Sequence, residues 1–174
     1  GLPMSLSRRH LATVAMLAAA AAAGWLAFGR SATHEPAPLV NYTLLDGQQL
    51  STATLKGQVV LVNFWATSCT TCVAEMPEIM ATFEKYKGKG YQTVAVAMSY
   101  DPPAYVSNFA QTRKLPFGVA IDNTGAIAKG FGDVKLTPTS FLINKRGEIV
   151  KRYVGAPDFE ALHTLVEKLL AEQA

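Results

Sequence analysis

The sequence predicts an α/β domain built on a mixed central sheet with helices on both faces. Three observations carry that expectation. Val59–Trp65 (Val-Val-Leu-Val-Asn-Phe-Trp) is a continuous apolar and β-branched run, the pattern of a strand buried on both sides. Val73, Met76, Ile79, Met80 and Phe83 then recur at helical spacing, so this strand feeds a helix. Thr139–Asn144 and Glu148–Val154 flank Lys145-Arg146-Gly147, which reads as a β-hairpin.

The remaining elements follow from local chemistry. Asn41–Leu45 and Gln48–Leu50 around Asp46-Gly47 form a small N-terminal hairpin. Lys56-Gly57 is the turn before the central strand. The helix from Cys69 runs to about Lys87 and contains Pro77, which is expected to bend it or start a second segment. Gly88 and Gly90 end it. Tyr91–Met98 is a second buried strand. Pro102-Pro103 open a helix to about Lys114, with Tyr105, Val106, Phe109 and Ala110 on one side. Leu115–Ile121 is a short strand, and Asn123-Thr124-Gly125 lead into a brief helix near Ala126–Phe131. Asp158–Glu172 closes the order as an amphipathic helix with Phe159, Leu162, Leu165, Val166 and Leu169 inward.

The 174 residues carry a formal charge of +3, and the excess is local. Setting aside Arg8, Arg9 and Arg30 leaves thirteen basic against thirteen acidic residues, so the remainder offers no basic surface for nucleic acid. Those arginines flank an uncharged run of eighteen residues, Leu11–Phe28. Its length is at the lower limit of about 17–25 for a membrane-spanning helix, and Trp25 suits an interfacial anchor. A cleaved signal peptide is the alternative, with Ala21–Ala23 as one small-residue site. Ser7-Arg8-Arg9-His10-Leu11 is also similar to a twin-arginine export signal. On each reading the cationic end stays cytoplasmic and the remainder crosses. Ser31–Pro38, polar with two prolines, is a linker.

Cys69 and Cys72 are the only cysteines, too few for a disulfide scaffold or a four-cysteine zinc site. Cys69 falls where the strand gives way to the helix. The positive end of a helix stabilises a thiolate and lowers its pKa from about 8.5 toward about 7 in such sites. Cys72 lies one turn on along the same face, within reach of a disulfide. Dithiol–disulfide exchange is the expected chemistry. A structural bridge or two buried thiols would have no need of this setting.

Phe64-Trp65-Ala66-x-x-Cys69-x-x-Cys72, with Leu136-Thr137-Pro138-Thr139 ahead of a hairpin, resembles the thioredoxin superfamily. Val62–Thr67, Glu75-Met76-Pro77 and the extra strand–helix unit before Leu136 resemble its TlpA/ResA-type membrane-anchored thiol–disulfide oxidoreductases. The resemblance spans about Leu39 to Leu170. It implies a thioredoxin-like domain over 39–174, a linker at 31–38, and an anchor or signal peptide over 1–30. It also implies an inner-membrane, single-pass protein facing the periplasm, or one released there by signal cleavage. The implied partners are protein disulfides and a membrane donor relaying electrons from cytoplasmic thioredoxin. Apocytochrome c haem-attachment cysteines and copper-site cysteines are the implied targets. No cofactor is implied beyond the redox-active Cys69–Cys72 pair, and no metal.

By the same resemblance Cys69 attacks a substrate disulfide and Cys72 resolves the mixed disulfide. Thr137-Pro138 matches the cis-proline loop that holds an extended substrate; the alternative is an ordinary proline entering an edge strand. Trp65 matches a tryptophan flanking the site, or it packs the core. Glu75 matches an acid kept near the cysteines to move a proton, or it is a solvated helix charge. Asn63 departs from the superfamily's buried aspartate and cannot take a proton, so that role falls to Glu75 or water. Thr70-Thr71 between the cysteines points to a reducing or intermediate potential. His10, His34 and His163 read as solvated. A copper(I) chaperone is the competing function and would need a further ligand. A peroxidase would need its proline before the cysteine, not after.

Overall fold

The computed structural model describes residues 8–28 and 34–174, without the side chains of 25–28. The chain divides between Thr33 and His34 into two units. In the first, α1 (Arg8–Phe28) carries exposed Leu11, Val14, Met16 and Leu17. Among the described residues no helix is long and apolar enough to cross a membrane. The Trp25 anchor and the part of the linker before His34 lie outside the described residues.

The second unit is the mixed sheet. Its strands are β1 (Glu35–Pro36), β4 (Val59–Trp65), β5 (Tyr91–Ala97), β6 (Gly118–Ile121), β7 (Thr139–Ile143) and β8 (Glu148–Val154), in the order β1-β8-β7-β4-β5-β6. β4, β5 and β6 run parallel, while β7 and β8 are antiparallel to their neighbours. β2 (Asn41–Thr43) and β3 (Gln49–Ser51) form the separate small hairpin, which reaches the sheet through a bridge between Leu44 and Ala120.

Every residue of β4 is buried, as a parallel strand covered on both faces requires. Alternation divides its side chains between two cores. Val59, Leu61 and Trp65 join Met76, Ile79 and Phe83 of α2 (Thr70–Tyr86), Val106 of α3 (Pro103–Thr112) and Leu162, Val166 and Leu169 of α5 (Phe159–Ala171). Val60, Val62 and Phe64 meet Tyr42, Phe131, Phe141 and Ile127 of α4 (Ala126–Gly130) on the other face. Asn63 has the odd parity, which turns its amide under α2 rather than away from it.

Five local expectations change, the first being that Glu35 and Pro36, read as part of the linker, pair with β8 as β1. α2 is continuous through Pro77, which sits on the exposed side, where water reaches the carbonyl that proline leaves unbonded. β6 starts at Gly118, not Leu115, because the preceding residues make the turn out of α3: Lys114 has φ of 53° and Leu115 N–H donates to the Ala110 carbonyl. Tyr105 is 64% exposed; only Val106 of its stripe is fully covered, since α3 lies toward the sheet's β6 side. His163 is half-buried against α2, with its Nε2 2.8 Å from Thr82 Oγ1 and its ring on Tyr86. The Thr82 hydroxyl donates to the Glu78 carbonyl, so His163 Nε2 is the donor toward Thr82.

Candidate active site at the β4–α2 junction

β4 delivers the chain to the C-terminal edge of the parallel strands, where Ala66–Ser68 turn and α2 begins. Cys69 is the N-cap of α2: its backbone is extended and its Sγ accepts from Cys72 N–H at 3.2 Å. The two cysteines form a disulfide with Cα atoms 5.2 Å apart. Their environments differ. Cys69 is half-buried beside exposed Ser68 and Thr70, while Cys72 is 1% exposed among the apolar residues of the α2 core. An incoming sulfur has access to Cys69 only. The helix N-terminus supplies the donor that a Cys69 thiolate would accept.

Antiparallel pairing brings the second segment alongside. Thr139 pairs with Phe64, so Thr137 and Pro138 lie level with the end of β4 and the turn that bears Cys69. The Thr137–Pro138 bond is cis. Thr139 Oγ1 donates to the Leu136 carbonyl at 2.6 Å, and Gly155 N–H donates to the Pro138 carbonyl at 2.8 Å, which holds the loop at both ends.

Beneath the disulfide lies a polar cluster in an otherwise apolar core. Glu75 is 5% exposed, which excludes a solvated helix charge. Asn63 Nδ2 donates to Glu75 Oε1 at 3.3 Å and to Ser140 Oγ at 2.9 Å. Glu75 Oε2 and Asn63 Oδ1 have no protein partner. Burial pushes the Glu75 carboxyl up to about 7, and the amide of Asn63 offsets this in part. Glu75 is thus poised to change protonation near neutral pH.

Trp65, which the resemblance places beside the site and which core packing also fits, is fully buried, with its ring 5.1 Å from Phe109. It packs under the site, in the same core as Cys72, and offers a substrate no open face.

Asp101 and Ser140 are site residues that sequence reasoning missed. The Asp101 carboxylate is buried and accepts from Thr67 N–H at 2.7 Å and from Thr67 Oγ1 at 2.6 Å. It ties the turn before Cys69 to the end of β5. The available signal was an acid just past a parallel strand's C-terminal end, ahead of Pro102-Pro103, where α/β sheets place their sites. Asp101→Ala is expected to destabilise the fold by about 2–3 kcal/mol, because Thr67 N–H and its hydroxyl lose a charged acceptor. Urea denaturation checks this; an unchanged midpoint would show the tie to be dispensable.

Among the described residues no group of three or more His, Cys, Asp or Glu is placed to hold a metal. His163, engaged with Thr82 and Tyr86, does not supply the further ligand that copper binding would need.

A half-buried cysteine capping a helix, a sealed partner one turn on and a cis-proline alongside define a thiol–disulfide oxidoreductase of thioredoxin-like fold. The chain belongs to the Redoxin family, whose model matches residues 32–168. It is 38% identical over 133 residues to the thiol–disulfide oxidoreductase ResA of Bacillus thuringiensis subsp. konkukian, covering 76% of each chain. A thioredoxin candidate from Neisseria meningitidis, solved in solution, superposes with a TM-score of 0.72 at 42% identity, over 78% of this chain and 90% of that one. A thiol:disulfide interchange protein of Chlorobium tepidum gives 0.73 at 27% identity, over 81% and 99%.

Proposed function

We propose that this protein reduces protein disulfides outside the cytoplasm, held to the inner membrane by its N-terminal segment or released into the periplasm. The observation that carries the reading is the asymmetry of the pair, an accessible Cys69 at the helix N-terminus over a buried Cys72. In the reduced protein the Cys69 thiolate attacks one sulfur of a substrate disulfide. A Cys69–substrate bond forms, and the substrate's other sulfur leaves as a thiolate. Cys72 then loses its proton and attacks Cys69 Sγ, which releases the second substrate sulfur and regenerates the Cys69–Cys72 disulfide. Two electrons pass to the substrate in all. Glu75, one turn beyond Cys72, takes the Cys72 proton, and Asn63 orients its carboxyl. The cis-proline loop at Thr137-Pro138 aligns the substrate backbone beside Cys69.

The oxidised pair needs a supply of electrons, because the periplasm is kept oxidising. A membrane protein drawing on cytoplasmic thioredoxin fits that need. Apocytochrome c haem-attachment cysteines and the cysteines of copper sites are the substrates that the family resemblance favours. The uncharged Thr70-Thr71 pair supports the reducing direction, as it adds no cation to stabilise the thiolate further. The reduction potential tests direction. A value of about −270 mV or lower is expected, and one near about −120 mV would make the protein an oxidant.

A further inference from the structure

We infer that α3 forms a second arm of the substrate-binding surface, one that selects polypeptides carrying carboxylates close to the disulfide to be reduced. The inference rests on the proposed reduction of protein disulfides and adds the class of substrate. A groove of about 450 Å³ opens directly beside the turn that precedes Cys69. Thr67 and Ser68 form one wall; Tyr105, Asn108 and Phe109 of α3, with Arg113 just past its C-terminal end, form the other. It abuts the turn that bears Cys69, within reach of a chain whose sulfur meets Cys69.

The chemistry of the α3 wall names the occupant. Tyr105, Phe109 and Arg113 follow at four-residue spacing and make a single stripe. Phe109 is anchored below by Trp65, with ring centroids 5.1 Å apart. Arg113 lies with its guanidinium carbon 5.2 Å from the Phe109 centroid. That packing holds the planar cation at the groove and leaves its donors for a ligand. No acidic side chain pairs with Arg113 among the described residues. The nearby acid, Asp101, is buried and spent on Thr67. Tyr105 is exposed at the groove, an open aromatic face on the same side as half-buried Phe109. An aromatic platform ending in an unpaired, pre-positioned guanidinium fits a peptide that presents a carboxylate.

The test uses the full chain, reduced beforehand, in single turnover. The probes are synthetic peptides with one internal disulfide, alike except for aspartates or lysines on both flanks. A neutral small disulfide, 2,2′-dithiodipyridine, needs no groove. The second-order rate constant for the aspartate peptide is expected to exceed that for the lysine peptide by about five-fold. Arg113→Ala should erase most of that preference and Arg113→Glu should reverse it, with dithiodipyridine reduction unchanged. Lys168→Glu, on α5, should leave the preference in place, which separates a local site from overall charge. Tyr105→Ala should slow both peptides about three-fold without slowing dithiodipyridine. Equal rates for the two peptides in the wild type would overturn the inference while leaving disulfide reduction standing. So would equal loss on the small disulfide, or a change of oligomeric state on Tyr105→Ala without any peptide preference. Failure of the wild type to reduce any of the three probes would instead overturn the parent reading.

Discussion

Cys69→Ser is expected to abolish disulfide reduction, and Cys72→Ser to stop the reaction halfway with substrate covalently attached at Cys69. The reason is the difference in access between the two sulfurs. Cys69 is half-buried at the end of α2, and Cys72 is sealed in the core with Met76, Ile79 and Trp65. Serine at 69 removes the nucleophile and leaves a thiol that no protein substrate can reach. Serine at 72 keeps the nucleophile and its helix-end donors but removes the group that would expel the substrate. The expected loss with Cys69→Ser is total within detection. The Cys72→Ser adduct should appear as a mass increase equal to the substrate and vanish on treatment with excess reductant. Unimpaired turnover by the Cys69 variant would exclude the assignment. An adduct at residue 72 in the Cys69 variant would show the access argument to be reversed.

The second large effect is on Glu75. In an unfolded chain its carboxyl titrates at the ordinary 4.5, whereas burial holds it at about 7 in the fold. Below 4.5 both states carry the proton, and Glu75 contributes no pH dependence. As pH rises, the unfolded state releases its proton first, so folding stability falls until the folded carboxyl also ionises near 7, and then levels off. A shift of this size corresponds to about 3 kcal/mol over that window. Glu75→Gln keeps the amide-compatible shape and removes the charge. Its stability should therefore be flatter between pH 5 and 8, and at pH 8 it should exceed the wild type. The oxidised protein is the right sample, because its cysteines do not titrate. The same substitution should lower the rate of the resolving step by about 100-fold near neutral pH, as expected for loss of a positioned base. A wild-type stability that is level from pH 5 to 8 would rule out the buried, raised carboxyl.

Much of the redox site is visible in one dimension because it is local. The run Val59–Trp65, the polar turn and the helix starting after Cys69 are consecutive, and period-two and period-3.6 patterns report each of them directly. Thr137-Pro138 is distant in sequence but announces itself through proline. The supporting residues are different. Asp101 reaches back to Thr67 across the strand ends, and Ser140 meets Asn63 across the β4–β7 pairing. Neither partner can be read from periodicity, because periodicity gives a face of one element and not what lies over that face. The same gap explains Trp65, Tyr105 and His163. Each sits on a recognisable element, but its exposure depends on which neighbour covers it. α3 covers Trp65, the groove leaves Tyr105 open, and α2 takes in His163.

Contiguous residues and their spacing are enough to read the elements from β2 onward, the exchange chemistry of Cys69 and Cys72, and the family. Packing between elements is what seals Cys72, buries Glu75 against Asn63, sets Asp101 to brace the turn, and brings the open groove beside α3 to the cysteine. Burial and long-range hydrogen bonds are properties of pairs of elements. They come into being only when the sheet places β4, β5 and β7 side by side and the helices close over them.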